Sequence, residues 1–473
     1  MKIIPLFFSL LVTTGDHDAG PYTLEACRAI ALEHNRAIAI ANLKTGKARH
    51  ERNAFRTLFL PEFSAAATYL YTTARIRQEI PSLYLPTYIT DPATGQLKPD
   101  VLLAPDGQPV TGPDGNPVFN RYAYFPGAGM EINPSGTYLA AISARQPIFA
   151  GGKILSAYNM ARTAARVAAI DAELTRVEVI TRTDEAFWTH VKALETERVA
   201  RAFKELVDEL ERSVQRAGES GMKTRNDQLK VRVQANKADL QLLVAANAVR
   251  LSRENLCQVM GLPLSTALVL SHDLDGEGLV ATPGEPARPR PEHALLDEQV
   301  KLKGQQVHLA RSGFLPTIGV TASYGRARAL ELNDAPLLDR PFFSAVLSVQ
   351  VPIFHWGEGM NKVRAARDEQ RIAEQQRDEL TERMELEARQ AACKIEESRA
   401  GIRMNALALE QAAENLRVVR ARHAAGMETL ATYLEAQALW QQASLSLLDA
   451  RVSLRLDLTL YMKATGNLPA RDE

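Results

Sequence analysis

The fold is decided by the stretch SARQPIFAGGKI (Ser143–Ile154), because its pattern, with Pro-Ile-Phe and a following glycine, returns later in the chain. The second copy is SVQVPIFHWGEG (Ser348–Gly359), which begins 205 residues after the first. The same offset relates Gly261 to Gly466 and holds between these points without a gap. Insertions collect in loops, so an ungapped repeat of this length indicates rigid elements of fixed length. We therefore predict two structurally equivalent halves.

A second repeat lies upstream of each copy. RTLFLPEFSAAATYLY (Arg56–Tyr71) matches RSGFLPTIGVTASYGR (Arg311–Arg326) at an offset of 255 residues. The change of offset means that the first half carries an insertion, Ala74–Gly136, which is rich in Pro, Gly and Asp. Its P-D-G turns predict a loop, and the corresponding loop of the second half, Ala327–Phe342, is expected to be shorter.

Four segments alternate between apolar and small polar residues, and this alternation predicts β-strands. They are Phe63–Tyr71, Thr137–Ser143, Thr317–Tyr324 and Ser344–Val351. Strands with this pattern occur both in transmembrane β-barrels and in soluble sandwiches, so the pattern alone leaves both open. Four strands cannot close a barrel, which means that a barrel would need further strands from elsewhere.

The remaining pattern is helical. Thr23 is a candidate N-cap for an amphipathic helix that runs to Pro61, and Pro291 suits the first turn of a later helix. The predicted long helices cover about 65 residues after Gly152, then Leu229–Leu256, Gly359–His423 and Leu430–Met462. Helices of this length need packing partners along their whole length, and one chain offers too few.

Composition excludes several classes of function. The 473-residue chain has a formal net charge of zero, so no basic excess is present to attract nucleic acid. No window reaches the roughly 18 consecutive apolar residues of a transmembrane helix. Residues 1–20 have the pattern of a signal peptide, with Lys2 before an apolar run, although no clear cleavage site follows. Three scattered cysteines, Cys27, Cys257 and Cys393, are expected to be buried apolar side chains.

These motifs together resemble those of the TolC-like family of outer-membrane efflux proteins (outer membrane factors). The resemblance rests on F-L-P before strands one and three, on Q-P-I-F-x-G-G and V-P-I-F-x-W-G after strands two and four, and on a glycine turn in each helical hairpin. It implies an α+β membrane protein that is a homotrimer. Each protomer would give four strands to a twelve-stranded β-barrel, continuous with a long periplasmic α-helical barrel. Residues 1–20 would then be the signal peptide, 21–290 the first structural repeat and 291–473 the second.

No catalytic constellation is present in the sequence, so no enzymatic activity, cofactor or metal is expected. Two histidines within helical patterns, His190 and His308, are expected on polar helix faces. Function is expected instead at the two hairpin tips, Arg216–Lys230 and Arg422–Ala436, which in the family form the periplasmic aperture and contact an adaptor protein. The residues carried over to the aperture are Glu435, Thr432, Asp227, His423 and Glu428, and those carried over to adaptor docking are Gly221, Met222, Gly426 and Met427.

The resemblance to the family is incomplete at the residues of the expected aperture. Only Glu435 keeps an acid where the family has two acidic rings, because Thr432 occupies the other position. Three copies of Glu435 near a threefold axis would repel one another and attract cations. Asp227 falls at a latch position whose partners here are His423 and Glu428, and two facing acids make a weak latch unless the histidine is protonated. The alternative is that Asp227 and Glu435 are ordinary surface acids near a turn.

The expected function is that of a passive outer-membrane channel in a tripartite efflux pump, which exports small molecules from the periplasm. Its expected partners are two further copies, a periplasmic adaptor (membrane fusion) protein, an inner-membrane pump and outer-membrane lipid, without nucleic acid. The expected location is the cell outer membrane, with the helical part in the periplasm. The alternatives are a type I protein secretion channel and a non-conducting periplasmic coiled-coil scaffold. Drug, metal-ion and protein cargo are not distinguished, because such a channel inherits specificity from its pump.

Overall fold

The computed structural model describes residues 21–220, 223–274 and 290–468. The predicted signal peptide, residues 1–20, and the predicted docking residues Gly221 and Met222 lie outside these ranges. Within the ranges, the chain forms seven α-helices and ten β-strands. None of these helices is both long enough and apolar enough to cross a membrane.

The long helices follow the sequence repeat. In chain order the helices are α1 (Leu24–His34), α2 (Arg36–Thr57), α3 (Lys153–Glu219), α4 (Arg225–Met260), α5 (Pro291–Ser312), α6 (Glu358–Ala424) and α7 (Leu430–Ala464). Helices α3 and α6 contain 67 residues each, and at 1.5 Å per residue each is about 100 Å long. These equal lengths agree with the predicted pair of helical hairpins.

The first helical segment is broken, which its periodicity did not indicate. Thr23 caps α1 with its side chain, as predicted. Asn35 then adopts an extended conformation and accepts a hydrogen bond from the backbone of α2, while its amide donates to the Val259 carbonyl at 2.6 Å. The prediction of one continuous helix to Pro61 is therefore wrong, because Asn35 ends one helix and caps the next. Helix α2 ends at Thr57.

Four long strands match the four alternating segments. They are β1 (Glu62–Leu70), β8 (Thr137–Ala150), β9 (Thr317–Leu332) and β10 (Ala335–Gln350). They pair antiparallel in the spatial order β1, β8, β9, β10. Within the described chain, the outer edges of β1 and β10 pair with no other strand. The four long strands therefore form an open sheet with free edges at β1 and β10, and a short strand, β7 (Ala128–Asn133), pairs with the far end of β9.

The insertion of the first half, Ala74–Gly136, contains strands as well as turns, so the prediction of a loop is wrong. The strands are β2 (Ile76–Ile80), β3 (Leu83–Pro86), β4 (Tyr88–Thr90), β5 (Leu97–Pro99), β6 (Tyr122–Phe125) and β7 (Ala128–Asn133). Strand β2 pairs with β7, β3 with β6, and β4 with β5, which makes a series of nested hairpins. Aromatic and β-branched residues between the turns favour these strands.

The second half has a tight turn where a loop was predicted over Ala327–Phe342. Strands β9 and β10 continue through this range and meet at Asn333 and Asp334, whose φ angles are 50° and 61°. Two consecutive positive φ angles define a type I′ turn, which Asn and Asp tolerate better than most residues. The predicted loop is wrong because this two-residue turn matches the twist of the strands.

The four-stranded sheet has two chemically different faces. One face carries a row of serines, one from each strand: Ser64, Ser143, Ser323 and Ser344. The two central serine hydroxyls are 2.9 Å apart and hydrogen bonded. The other face carries the exposed apolar side chains of Phe63 (73% exposed), Ile142 (61%), Tyr324 (63%) and Phe343 (70%). One face is thus small and polar, and the other is apolar and uncovered.

The chain divides into two compact units that cut across the sequence repeat. The strand unit comprises residues 56–154 and 312–356, and the helical unit takes the residues before, between and after them. Both repeats contribute to both units. The predicted repeats, 21–290 and 291–473, therefore do not coincide with the two compact units, and their boundaries stay a prediction.

Asp184 and His190 are among the polar side chains that are buried in the helical unit. Asp184 is fully buried and accepts hydrogen bonds from Arg28 at 2.7 Å and from the Thr459 hydroxyl at 2.8 Å. His190 is 2% exposed and lies 2.9 Å from the Ser252 hydroxyl. The expectation that His190 lies on a polar helix face is therefore wrong.

The predicted burial of the cysteines is confirmed for two of the three, and the predicted exposure of His308 is confirmed. Cys27 and Cys257 are fully buried, as predicted. Burial raises the pKa of the Cys27 thiol to about 12, which makes it chemically inert. Cys393 is exposed, so the prediction of burial is wrong there. His308 is exposed on α5, as predicted.

Candidate functional site

The two hairpin tips begin their returning helices with equivalent caps. Thr224 precedes α4 and Thr429 precedes α7, at the offset of the sequence repeat. Thr224 and Asp227 form a reciprocal capping box, in which each side chain accepts a hydrogen bond from the other's backbone amide. Thr432 replaces the acid at the second tip, where its hydroxyl lies 2.9 Å from that of Thr429. Two predicted aperture residues are thus cap residues of their own hairpins.

The carboxylate of Asp227 has a partner within its own tip. Its hydrogen bond with the Thr224 hydroxyl is 2.8 Å long. This bond lowers the pKa of Asp227, and Lys223 and Lys230 nearby act in the same direction. An ionised acid in the first turn also interacts favourably with the dipole of α4. Asp227 therefore stays charged at neutral pH and stabilises the start of its helix.

The second tip turns at Gly426. Its φ angle of 74° lies in the left-handed region, where a side chain would be strained. The amides of Gly426 and Met427 donate to the carbonyls of His423 and Arg422, at 3.1 and 2.9 Å. This pair of bonds is a Schellman motif, which satisfies the last carbonyls of α6. Met427 is 78% exposed at the apex of the turn.

An apolar cluster and an ion pair hold the four tip helices together. The buried members of the apolar cluster are Leu210, Val214, Val231, Leu416, Val419, Leu430, Tyr433 and Ala436. These residues come from α3, α4, α6 and α7, so the two hairpins pack as one bundle end. Arg420 of α6 also contacts both carboxylate oxygens of Glu209 in α3, at 2.7 and 2.8 Å.

His423 lies where the two tips meet. Its ring nitrogen Nε2 is 3.5 Å from Nζ of Lys223, and its ring centroid is 5.2 Å from that of Tyr433. Burial lowers the pKa of His423, as does the nearby Lys223, while Asp227 and Glu428 act in the opposite direction. His423 is therefore neutral at pH 7, and Lys223 supplies the positive charge between the tips.

The predicted aperture residues fall into two groups. Asp227, His423 and Glu428 lie within electrostatic reach of one another. Glu435 is exposed on α7, and its side chain has no hydrogen bond or ion pair with any residue in the described ranges. Its side chain is available to face a neighbouring molecule or solvent. Thr432 lies one turn before it on the same helix and is engaged by its cap.

Several residues that shape the tips have no recognisable signal in the sequence. They are Lys223, Tyr433 and the Arg420–Glu209 pair, which only the fold brings together. The caps could have been found, since T-x-x-D at Thr224 is a capping-box pattern and the repeat offset leads directly to Thr429. Across residues 21–220, 223–274 and 290–468, no three His, Cys, Asp or Glu side chains are placed to hold a metal ion.

The strand unit contains an open groove of about 1030 Å³. Its polar lining includes Glu62, Arg145, Thr321, Ser348 and Gln350. Three of these, Glu62, Arg145 and Thr321, are register partners across β1, β8 and β9, in the row next to the serines. The polar row of the sheet thus continues into this groove, whose lining also includes apolar residues such as Leu60, Phe149 and Ile318.

The sequence matches the family model described as outer membrane efflux protein over residues 28–262 and 296–467. This match confirms the family inferred from the repeated motifs. It also confirms the prediction of a transport protein that is not an enzyme.

Known relatives share parts of the sequence or the whole fold. The alkaline protease secretion protein AprF of Pseudomonas aeruginosa is 27% identical over 247 residues, which are 49% of this chain and 49% of AprF. The chain thus aligns with about half the length of this curated relative. The CmeC outer membrane channel of Campylobacter jejuni superposes with a TM-score of 0.68 at 18% identity, over 94% of this chain and 85% of CmeC.

Two further solved structures share the fold. CusC, described in connection with transmembrane channel formation, has a TM-score of 0.70 at 13% identity, over 93% of this chain and 91% of its own. The open-state MtrE outer membrane channel of Neisseria gonorrhoeae has a TM-score of 0.68 at 18% identity, over 94% of this chain and 88% of MtrE. Because the family model covers most of the sequence and the fold is shared with these structures, the chain belongs to the outer membrane efflux protein family.

Proposed function

We propose that three copies of this chain form a passive channel across the outer membrane, as the outer component of a tripartite export system. The observation that carries the proposal is the open sheet of the strand unit. The unpaired amides and carbonyls along β1 and β10 are costly in lipid, where no water can satisfy them. Pairing β10 of one copy with β1 of the next removes both edges and closes a twelve-stranded barrel.

The two faces of the sheet support the same arrangement. A membrane barrel needs apolar side chains towards lipid and polar side chains towards a water-filled interior. The face with Phe63, Ile142, Tyr324 and Phe343 suits lipid, and the row of serines suits water. The long helices also leave apolar residues uncovered in a single chain, including Leu240, Leu243, Leu251 and Met404. Packing against neighbouring copies would bury them.

The hairpin tips are the proposed periplasmic gate. Three Glu435 side chains around the axis would give the aperture a negative charge and a preference for cations. Gly426 and Met427, with Gly221 and Met222 of the other tip, are the proposed contact with a periplasmic adaptor protein. An inner-membrane pump is the proposed source of energy, since the matched family is one of transport proteins and not of enzymes. The helical unit would lie in the periplasm and the strand unit in the outer membrane.

Planar-bilayer recording tests the channel and its gate together. We expect the purified wild-type protein to conduct with cation selectivity, and the Glu435→Gln variant to lose most of that selectivity, because the charged ring is gone. Asp227→Asn is the matched control, since its charge is held in a cap, and it should keep the selectivity. A protein that never conducts would favour the coiled-coil scaffold instead. Equal cation selectivity in the wild type and both variants would show that Glu435 does not line the gate.

Protein secretion is the second candidate function. The observation that favours it is the similarity to AprF, whose name describes secretion of alkaline protease. The two functions differ in cargo and not in the channel, so a deletion strain distinguishes them. Raised susceptibility to antibiotics, bile salts or metal ions with an unchanged set of secreted proteins supports efflux. Loss of a secreted protein with unchanged susceptibility supports secretion.

A further inference from the structure

The helical residues next to the four long strands carry an excess of positive charge. Four segments of 14 residues precede or follow β1, β8, β9 and β10 along the chain: 44–57, 153–166, 299–312 and 358–371. Together they contain 15 Lys and Arg but 4 Asp and Glu, which gives a net charge of +11 in a chain whose total is zero. These four segments are termed the basic collar.

The parts of the four segments that belong to the helical unit, residues 44–55, 155–166, 299–311 and 358–371, lie side by side. The Thr45 hydroxyl of α2 donates to the Ala168 carbonyl of α3 at 3.0 Å, just beyond the end of the collar segment in α3. Gln305 of α5 donates to the Thr163 hydroxyl of α3 at 2.9 Å. Lys303 of α5 forms an ion pair with Glu369 of α6 at 2.8 Å. The charge is therefore concentrated at one end of one bundle.

Much of this charge has no counterion within the protein. Lys47 and Arg371 have acidic partners on their own helices. Eight other basic residues are exposed, and their side chains make no ion pair or hydrogen bond with any residue that the structure describes: Lys44, Arg49, Arg56, Lys153, Arg162, Arg311, Arg364 and Arg367. Two of them, Arg311 and Arg367, line a groove of about 400 Å³ between α5 and α6. The basic collar is thus a surface that requires anions from outside the chain.

Short apolar segments separate the basic collar from the strands. Their exposed side chains include Phe59 (44%), Phe314 (37%), Ile353 (93%) and Trp356 (89%). The rings of Phe354 and Trp356 contact each other edge to face, with centroids 4.9 Å apart. Aromatic residues followed by Lys and Arg are the arrangement found where a protein passes from the apolar part of a membrane into its charged headgroups.

We propose that the basic collar binds the phosphate groups of anionic phospholipids on the periplasmic face of the membrane that the strands enter. The proposal rests on the proposed function, because that function places the strands in a membrane. Lipid is the occupant that the apolar segments favour, because along the chain these segments join the basic collar directly to strands that the proposed function places in a membrane. The attraction between several basic side chains and an anionic lipid surface would fix the depth of the barrel in the membrane. Added salt weakens this attraction.

Binding of labelled phosphatidylglycerol tests the proposal on the full-length protein in detergent. We expect fluorescence anisotropy to show binding that unlabelled phosphatidylglycerol competes away and phosphatidylcholine does not. Inorganic phosphate should compete weakly, because it lacks the acyl chains that the apolar segments contact. The quadruple variant Lys44→Gln, Arg49→Gln, Arg311→Gln and Arg364→Gln should bind at least about tenfold more weakly. High salt should weaken wild-type binding in the same way.

A matched variant removes four exposed and unpaired basic residues elsewhere in the helical unit: Arg232→Gln, Lys237→Gln, Arg250→Gln and Arg403→Gln. It should bind like the wild type. Equal loss in both quadruple variants, or equal binding of phosphatidylcholine, would overturn the proposal. The proposal would also be overturned if the collar variant bound lipid like the wild type but changed the anion selectivity in planar bilayers, because the charges would then line the pore. Conductance of all three proteins is measured separately, and its absence in the wild type counts against the channel and not against the collar.

Discussion

Arg28 and Asp184 form a buried ion pair in the helical unit, with 14% and 0% of their side chains exposed. Replacing Arg28 with Met leaves the Asp184 carboxylate buried with Thr459 as its remaining partner. Removing one member of such a pair costs about 3–5 kcal/mol. We expect Arg28→Met to lower the melting temperature clearly, and the double variant Arg28→Met with Asp184→Leu to recover most of the loss. A double variant less stable than the single one would contradict this account.

His190 makes the stability of the helical unit depend on pH. Its pKa is lowered to about 4 by burial and by the neighbouring Arg253 and His272. The unfolded chain takes up this proton near pH 6.5, whereas the folded chain does so only near pH 4. Stability is therefore full above pH 6.5 and falls as the pH drops through this window, by about 3 kcal/mol in total.

The variant His190→Gln isolates this effect, because glutamine keeps a polar contact with Ser252 and does not titrate. We expect melting curves of wild type and variant to diverge between pH 7 and pH 4, with the wild type losing more stability. Parallel curves over this range would show that His190 is not the responsible group. The carboxylates that also titrate here are common to both proteins and cancel in the difference.

At the scale of elements, the turn at Gly426 is set by its positive φ angle. A side chain in this conformation costs about 1 kcal/mol, so Gly426→Ala should destabilise the second tip by roughly that amount. Gly401→Ala is the control, because this glycine lies within α6 and a Cβ there meets no atom within 4 Å. It should stabilise the helix by about 0.5–1 kcal/mol. Hydrogen exchange at the tip, compared with mid-helix amides, measures both.

Two glycines of β9 differ in the space around them. A Cβ on Gly325 would lie 2.2 Å from the Ala140 carbonyl oxygen of β8, whereas on Gly319 the nearest atom is 3.8 Å away. We therefore expect Gly325→Ala to reduce the fraction of folded, protease-resistant protein in outer membranes, and Gly319→Ala to leave it unchanged. The reverse order would mean that the pairing of β8 with β9 is not as close in the membrane.

At the scale of the whole molecule, the free edges of β1 and β10 predict how copies associate. We expect Ala66→Cys in β1, combined with single cysteines at Ser344, Val346 or Ser348 in β10, to form disulfides between chains for at least one register. The product should be a covalent trimer that reducing agent dissolves. The background carries Cys393→Ser, because Cys393 is exposed.

The matched control moves the first cysteine to Ala141 of β8, the register partner of Ala66. Strand β8 is paired on both sides, so this cysteine should not link to β10 of another chain. Linkage from both positions would indicate non-specific contact in the membrane. Absence of linkage from Ala66 in every register would refute the closed barrel.

The repeated sequence by itself determined the two long helical hairpins, the four long strands and the family, because period and length are local properties that an ungapped repeat makes visible twice. It also contained the caps at Thr224 and Thr429, whose partners lie three residues away. The sequence did not indicate the break at Asn35, because the break depends on a contact with Val259. It did not indicate the strands of the insertion either, because these depend on pairing across a long hairpin. Only the tertiary structure placed His423 beside Lys223, buried His190, and gathered the charges of four separate helices into one collar. Contacts between residues some hundreds of positions apart leave no trace in local pattern, because they are decided by how the elements pack.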